Sequence, residues 1–269
     1  MVRKLLKYDF AAFAKTILPM EIVLLAIALI TRIIQFFETD GHAYEIFSVS
    51  SIVLLIIAML VSVVMTEVVC ITRFYKNLYT AEGYLTLTLP ATHAQHIFSK
   101  LITAVCANIF ALISIFVATA ISTAGEVFHE IIKAIAYLAK LYFKFFKFNG
   151  GLYIAESVIL IIALCASFFL LIYTCITVGQ MAKTKRVLAA FGVYFGYYIF
   201  NQILGTIAII LYTNYGALIF TDAVCDWIER NYSGAIHIIF ISLILINVIL
   251  SVVFFLITRV LMKKKLNIE

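Results

Sequence analysis

The stretch LITAVCANIFALISIFVATAISTAG, residues 101–125, contains no charged side chain. A helix needs roughly 20 consecutive apolar residues to cross a hydrocarbon layer about 30 Å thick, and this stretch is long enough. Similar stretches lie on both sides of it. Each is continuous rather than alternating between apolar and polar residues, which favours helices over a β-barrel. The six predicted spans cover residues 19–37, 46–71, 101–125, 157–182, 187–212 and 235–258.

The composition excludes several classes of protein. Apolar residues form 65% and charged residues 13% of the 269 residues, whereas soluble domains contain about 45–50% and about 25%. An ordinary soluble enzyme, a disordered chain and a nucleic-acid-binding protein are therefore excluded. The predicted fold class is all-α: a polytopic helical membrane protein with six transmembrane helices, organised as one domain over residues 1–269.

The basic residues predict the orientation of the chain. The net charge is +6, and most lysines and arginines fall on one side of the six spans if the N-terminus is cytoplasmic. Cytoplasmic segments of membrane proteins carry an excess of lysine and arginine. We therefore expect a multi-pass protein of the cell (plasma) membrane with both termini cytoplasmic.

The first eighteen residues (1–18) have the pattern of an amphipathic helix. Apolar residues recur at helical spacing at Leu6, Phe10, Phe13 and Ile17. Such a helix suits the inner membrane interface, with its lysines toward anionic headgroups. Pro19 suits the first turn of a new helix, which predicts an interfacial helix followed by an elbow. The alternative is one helix that begins early and kinks at Pro19.

The connection between the second and third spans, residues 72–100, is too long for a simple turn. Its basic residues Arg73 and Lys76 extend the second helix, and Glu82-Gly83 is predicted to interrupt it. The apolar segment that follows is too short to span a membrane and ends at Pro90. An exposed apolar segment must be covered, so it either packs under the helices or docks on a partner.

The end of this connection carries a helix-start signal. Thr92 and Gln95 have the spacing of a capping box, in which each side chain bonds the backbone of the other residue. The third span is therefore predicted to begin as a helix at this point.

The sequence RFYKNLYTAEGYLTLTLP, residues 73–90, resembles the corresponding region of bacterial ABC transporter permeases of the type-two, export class. These are membrane subunits that work with a separate ATP-binding protein. The N-terminal segment with Lys7, Tyr8, Asp9 and Phe10 is also similar. The resemblance implies that residues of this connection couple to the ATPase: Arg73, Lys76, Glu82, Gly83, Tyr84, Leu85, Leu87, Leu89 and Pro90.

The resemblance also implies roles and partners. Glu82 and Gly83 would set the turn, the aromatic and leucine residues would supply packing, and Arg73 and Lys76 would supply polar docking. The resemblance implies a separate ABC ATP-binding subunit that holds ATP and magnesium. No glycine of this chain begins GxxxxGK[ST], so we expect no cofactor in this chain and ATP hydrolysis, if used, by the other subunit. We expect a transport subunit and not an enzyme, working as a homodimer or with a sister permease, in contact with membrane lipid and without nucleic acid.

The long connection after the third span, residues 126–151, predicts an additional amphipathic outer helix. Its basic stripe consists of Lys133, Lys140, Lys144 and Lys147. One interpretation is an interfacial helix with lysines that reach the headgroups. The other is an electropositive outer surface that contacts an acidic substrate or partner.

Polar residues inside the predicted spans are candidates for function, because such residues are costly in a bilayer. These candidates are Glu21, Glu67, Asn108, Asn201, Gln202 and Asn247. The two acids would pair with lysines or arginines, or form a gate. The amides would line a pathway or form interhelical hydrogen bonds. Gly192 and Gly196 would permit close helix approach, whereas His93 and His96 lack the further ligands that a metal site requires.

Two other functions stay open at this point. One is an ion-coupled secondary transporter that uses Glu21 or Glu67 as its proton-carrying group. The other is a non-transporting membrane scaffold or immunity protein that binds a ligand through the lysine-rich outer helix.

Overall fold

The computed structural model describes residues 2–37, 41–88, 90–124, 126–146, 150–182, 184–219 and 221–265. Within these ranges the chain forms nine helices and no strand. They are α1 (Val2–Phe36), α2 (His42–Tyr79), α3 (Ala81–Leu87), α4 (His93–Ser122), α5 (Glu126–Phe146), α6 (Gly150–Gly179), α7 (Arg186–Ile219), α8 (Asp222–Arg230) and α9 (Tyr232–Lys265).

Six of these helices, α1, α2, α4, α6, α7 and α9, are long and apolar enough to cross a membrane. The predicted fold class is therefore confirmed: the chain is an all-α, multi-pass membrane protein. The additional helix predicted after the third span is α5. A short helix before the last span, α8, was not predicted.

The predicted elbow at Pro19 is wrong, because α1 is one helix of 35 residues and Pro19 lies inside it. At 1.5 Å per residue the helix is about 52 Å long, which exceeds the hydrocarbon thickness of a bilayer. The proline removes one backbone hydrogen bond. Packing compensates for this loss, since Phe13 and Ile17 before it and Glu21 and Leu24 after it are all buried. The N-terminal residues are thus continuous with the helix of the first span, and their position at the membrane interface stays a prediction.

One compact unit comprises Met1–Leu78 and Glu82–Leu141, and its core lies between α1, α2 and α4. Leu24 and Ala28 of α1 pack there with Leu55 of α2 and Ala118 of α4. The alanines allow α1 and α4 to lie close together along their lengths. We call this part the first unit.

The second unit comprises Tyr79–Ala81 and Tyr142–Glu269, and α6 is its central helix. The hydroxyl of Thr174 on α6 donates to the carbonyl oxygen of Phe254 on α9 at 3.2 Å and lies 2.9 Å from the hydroxyl of Thr258. Tyr197 of α7 packs edge-on against Phe254, with ring centroids 5.5 Å apart. That the two units form one permease domain stays a prediction.

Two glycine positions in the second unit differ sharply. A Cβ at Gly179, the last residue of α6, would lie 2.7 Å from the Cβ of Ala190 on α7. This glycine allows the two helices to approach closely. At Gly192 and Gly196 of α7 a Cβ would meet nothing within 4 Å, so the described residues do not use this pair for the predicted close contact.

Candidate functional site

The segment between the second and third spans forms the short helix α3. The predicted interruption at Glu82-Gly83 is misplaced, because α2 continues to Tyr79 and the helices are separated at Thr80. Glu82 and Gly83 both lie inside α3. Gly83 therefore serves a close packing contact and not a turn.

Gly83 brings α3 against the last turn of α2. A Cβ at this position would lie 2.7 Å from both the carbonyl carbon and the carbonyl oxygen of Leu78. Because backbone atoms cannot move aside as a flexible side chain can, only glycine fits this contact. Gly83 is buried, whereas its neighbours Glu82 and Tyr84 are exposed, Tyr84 to 67%. One side of α3 is therefore packed and the other is open.

The rest of the predicted coupling residues divide between described and undescribed positions. Leu85 and Leu87 lie in α3, and Pro90 follows it as an exposed residue. Leu89 lies outside the described residues. The hydroxyl of Thr86 donates to the carbonyl oxygen of Glu82 at 2.8 Å, inside α3.

The predicted capping box at the start of α4 is confirmed. The Thr92 hydroxyl accepts a hydrogen bond from the Gln95 backbone nitrogen at 3.3 Å, and the Thr92 nitrogen donates to the Gln95 side-chain oxygen at 3.0 Å. These two bonds satisfy backbone groups that the first turn of a helix leaves unpaired. The start of α4 is thus fixed independently of α3.

Arg73 is used inside the first unit. Its guanidinium donates to the carbonyl oxygen of Ala12 at 2.6 Å and stands 4.9 Å from the ring centre of Phe13, both on α1. This is not the outward docking contact predicted for Arg73. Lys76, one turn further along α2, is exposed.

A buried ion pair lies close to this segment. Lys100 of α4 pairs with Asp9 of α1, and the hydroxyl of Ser99 donates to the other carboxylate oxygen of Asp9 at 2.7 Å. Asp9 is 7% and Lys100 5% exposed. Sequence reasoning missed this pair. The available signal was that Asp9 stands four residues before Phe13, within the apolar stripe of α1.

Asn77 connects the ion pair to α3. With its amide oxygen directed at Lys100, it accepts from the Lys100 ammonium at 2.6 Å and donates to the Glu82 carboxylate at 3.2 Å. This orientation is assigned from the hydrogen-bonding partners. Asp9, Lys100, Asn77 and Glu82 therefore form a continuous polar chain across α1, α4, α2 and α3.

Glu21 is the most buried of the intramembrane candidates, at 2% exposure. One carboxylate oxygen accepts from the hydroxyl of Ser62 on α2 at 2.8 Å, and the hydroxyl of Ser114 on α4 is also beside the carboxyl group. The other carboxylate oxygen has no hydrogen-bond partner among the described residues. The expected pairing with a lysine or arginine is wrong within the described part of the chain, where the partners of Glu21 are hydroxyls.

The other polar candidates do not converge on one place. Asn108 of α4 is beside Glu67 of α2 in the first unit. Asn247 of α9 accepts from the hydroxyl of Ser167 on α6 at 3.0 Å, which is the interhelical bond considered for these amides. Asn201 donates to a backbone carbonyl of its own helix at 2.9 Å, and its neighbour Gln202 is exposed.

Three lysines of the basic stripe, Lys133, Lys140 and Lys144, lie on α5. Lys133 pairs with Glu130 at 2.8 Å, where both side chains are more than half exposed, and Lys140 is also exposed. The side chain of Lys144 and the whole of Lys147 lie outside the described part of the chain. The Lys133–Glu130 pair is a surface ion pair of the kind that contributes little to stability.

A second polar pair, which sequence reasoning did not find, joins α6 and α9 through a histidine and a glutamate. The Nδ1 atom of His237 lies 2.8 and 2.9 Å from the two carboxylate oxygens of Glu156, and its ring stacks on Tyr153 with centroids 4.0 Å apart. The hydroxyl of Tyr153 donates to the carbonyl oxygen of Ser233 at 2.6 Å. Among the described residues, no group of three histidine, cysteine or acidic side chains is placed to hold a metal ion.

Comparisons with protein-family models, curated proteins and solved structures found no match for this chain.

Proposed function

We propose that this chain is the membrane-spanning subunit of an ATP-driven exporter of the type-two ABC class. The observation that carries the proposal is α3, a short helix between the second and third spans with one packed and one open side. A separate ATP-binding subunit docks on the open side, at Tyr84. ATP and magnesium are held by that subunit.

Movement reaches the spans through the packed side of α3. Gly83 fixes α3 to the backbone of α2, and Glu82 is linked through Asn77 to the buried pair of Asp9 and Lys100. A displacement of α3 by the ATPase is therefore transmitted to the ends of α1, α2 and α4. Arg73 supports the transmission by holding α2 against α1.

The proposed assembly has two membrane halves, supplied by a second copy of this chain or by a sister permease. The excess of basic residues supports a cytoplasmic position of α3 and both termini at the plasma membrane, where ATP is available. An apolar interior with few charges suits a lipid, a hydrophobic peptide or an amphipathic drug as substrate.

The proposal is tested with variants of α3 in proteoliposomes that contain the co-purified ATPase. Gly83→Ala displaces α3 and Tyr84→Ala truncates its exposed aromatic residue, so both should lose stimulation of ATP hydrolysis while inserting normally in the membrane. Gly192→Ala is the matched control, because its added methyl group meets nothing. Wild-type stimulation by both α3 variants would show that α3 is not the coupling segment.

Glu21 supports a second candidate function, a secondary transporter driven by protons. Its carboxyl group is buried between three helices without a basic partner in the described part of the chain. Intramembrane acids of this kind are common in proton relays. Such a protein would transport in response to a pH gradient without ATP, and Glu21→Gln would abolish that transport.

A further inference from the structure

A narrow groove runs along the outside of α1 and α4 in the first unit, with a volume of about 340 Å³. Small side chains form its floor, at Ala14 of α1 and Ala107 of α4, and aromatic rings such as Phe10 and Phe110 form its sides. Of the residues that line it, Thr103 alone is polar. The groove therefore has an almost wholly apolar lining.

The length and the lining of the groove limit what it can hold. On α1 it extends from Phe10 to Leu18, which corresponds to about 12 Å along the helix axis. A single chain of methylene groups, whose carbons make contacts at about 3.5–4.0 Å, fits this space.

Two basic residues stand beyond one end of the groove. Arg3 and Lys7 lie on the same face of α1 as Phe10, Ala14 and Leu18, at helical spacing, and both are exposed. Neither has an acidic partner among the described residues. The nearby acid does not neutralise them, because Asp9 is buried against Lys100.

We propose that this groove binds one acyl chain of an anionic phospholipid, whose phosphate is held by Arg3 and Lys7. The apolar groove and the cationic end match the two parts of such a lipid. The basic residues are on the side that the charge distribution assigns to the cytoplasm, where anionic lipids give the leaflet its negative surface potential.

The test compares lipid retention in nanodiscs made from equal amounts of phosphatidylglycerol and phosphatidylcholine. The lipids that remain bound after detergent extraction are counted by native mass spectrometry. Wild-type protein should retain phosphatidylglycerol in excess over its bulk share. The double variant Arg3→Gln/Lys7→Gln changes exposed side chains only. It should lower the preference for phosphatidylglycerol about 25-fold, since each basic residue near the surface contributes about fivefold.

A second variant distinguishes the contribution of the groove to lipid binding from that of the two basic residues. Ala107→Phe fills the floor of the groove and should abolish retention of either lipid, whereas Ala208→Phe on the exposed face of α7 is its control. Cys106 gives an independent readout because it lines the groove and is exposed. Its labelling by a lipid-soluble maleimide, in a Cys225→Ser background, should slow when phosphatidylglycerol is present.

Several results would overturn the proposal. Retention of the two lipids in bulk proportion by wild-type protein would exclude a specific lipid site. Equal retention by Ala107→Phe would show that surface charge alone holds the lipid. Efficient Cys106–Cys106 crosslinking at low protein density, with no effect of lipid on labelling, would assign the groove to a second copy of the chain. None of these results depends on an ATPase, so they are distinct from failure of the proposed function.

Discussion

The two units of the chain stabilise their interiors with different polar groups. The first unit buries ionisable side chains, the ion pair of Asp9 and Lys100 and the carboxyl group of Glu21. The second unit joins its helices through hydroxyls such as Thr174, and its hydrogen-bonded pair of His237 and Glu156 keeps 19% and 17% of its side-chain surface exposed. Buried charges are costly unless they are fully paired. The difference indicates that the first unit is the more sensitive to loss of a single partner.

The largest difference between the units is expected at the Asp9–Lys100 pair and the His237–Glu156 pair. Lys100→Met leaves Asp9 buried without a cation and should lower the free energy of unfolding by about 3–5 kcal/mol. His237→Gln leaves Glu156 partly hydrated and should cost about 1 kcal/mol. Thermal and denaturant unfolding in the same detergent measures both.

A double variant sharpens the result at the buried pair. Asp9→Asn/Lys100→Met removes both charges, so it should recover most of the stability that Lys100→Met loses. A loss that does not depend on Asp9 would show that Lys100 acts by packing rather than by pairing.

Glycine substitutions compare close contacts in both units. Gly83→Ala in the first unit and Gly179→Ala in the second place a Cβ within 2.8 Å of backbone or of another Cβ. Each should lower stability by about 1–3 kcal/mol, as overpacking does. Gly205→Ala, where a Cβ meets nothing within 4 Å, should be neutral or stabilising by up to about 1 kcal/mol. Equal melting temperatures for all three variants would contradict the close contacts.

Serine substitutions compare a bond to a carboxyl group with a bond to an amide. Ser62→Ala removes the described hydrogen bond of the buried Glu21 and should cost about 1–3 kcal/mol. Ser167→Ala removes the bond to Asn247 in the second unit and should cost about 0.6 kcal/mol, typical of interhelical bonds in membranes. The reverse order of the two losses would mean that Glu21 obtains its stabilisation elsewhere.

The smallest difference is expected at two helix starts. Thr92→Ala removes the capping box of α4 and should cost about 1 kcal/mol. Thr221, at the start of α8, makes no side-chain capping bond, so Thr221→Ala should change stability by a few tenths of a kcal/mol at most. Unfolding curves of the two variants against the wild-type chain measure this difference.

Local signals in the sequence were sufficient to predict the six long apolar helices and the start of α4. The apolar runs and the Thr92–Gln95 spacing depend on residues that are neighbours along the chain, and each predicts its element without knowledge of the rest. Pro19 shows the limit of such signals. Its local preference for the start of a helix is outweighed by the packing of α1 on both sides of it.

The candidate site could be located from the sequence, but its internal connections could not. Asp9 and Lys100 are 91 positions apart, and no spacing rule connects residues at that distance. Gly83 was predicted to form a turn, whereas it makes a close contact with the backbone of α2. The sequence alone does not distinguish a glycine needed for a turn from one needed for a close contact. Arg73 looked available to a partner because its contact with Ala12 depends on the packing of α2 against α1.

The central claim is that the open side of α3 receives an ATP-binding subunit. The most direct measurement is site-specific photo-crosslinking in native membranes, with the crosslinking amino acid at position 84 and, as control, at the equally exposed position 137 on α5. The account predicts that position 84 captures a protein with a GxxxxGK[ST] motif and that position 137 does not. Capture of no such protein at position 84, or equal capture at both positions, would contradict it.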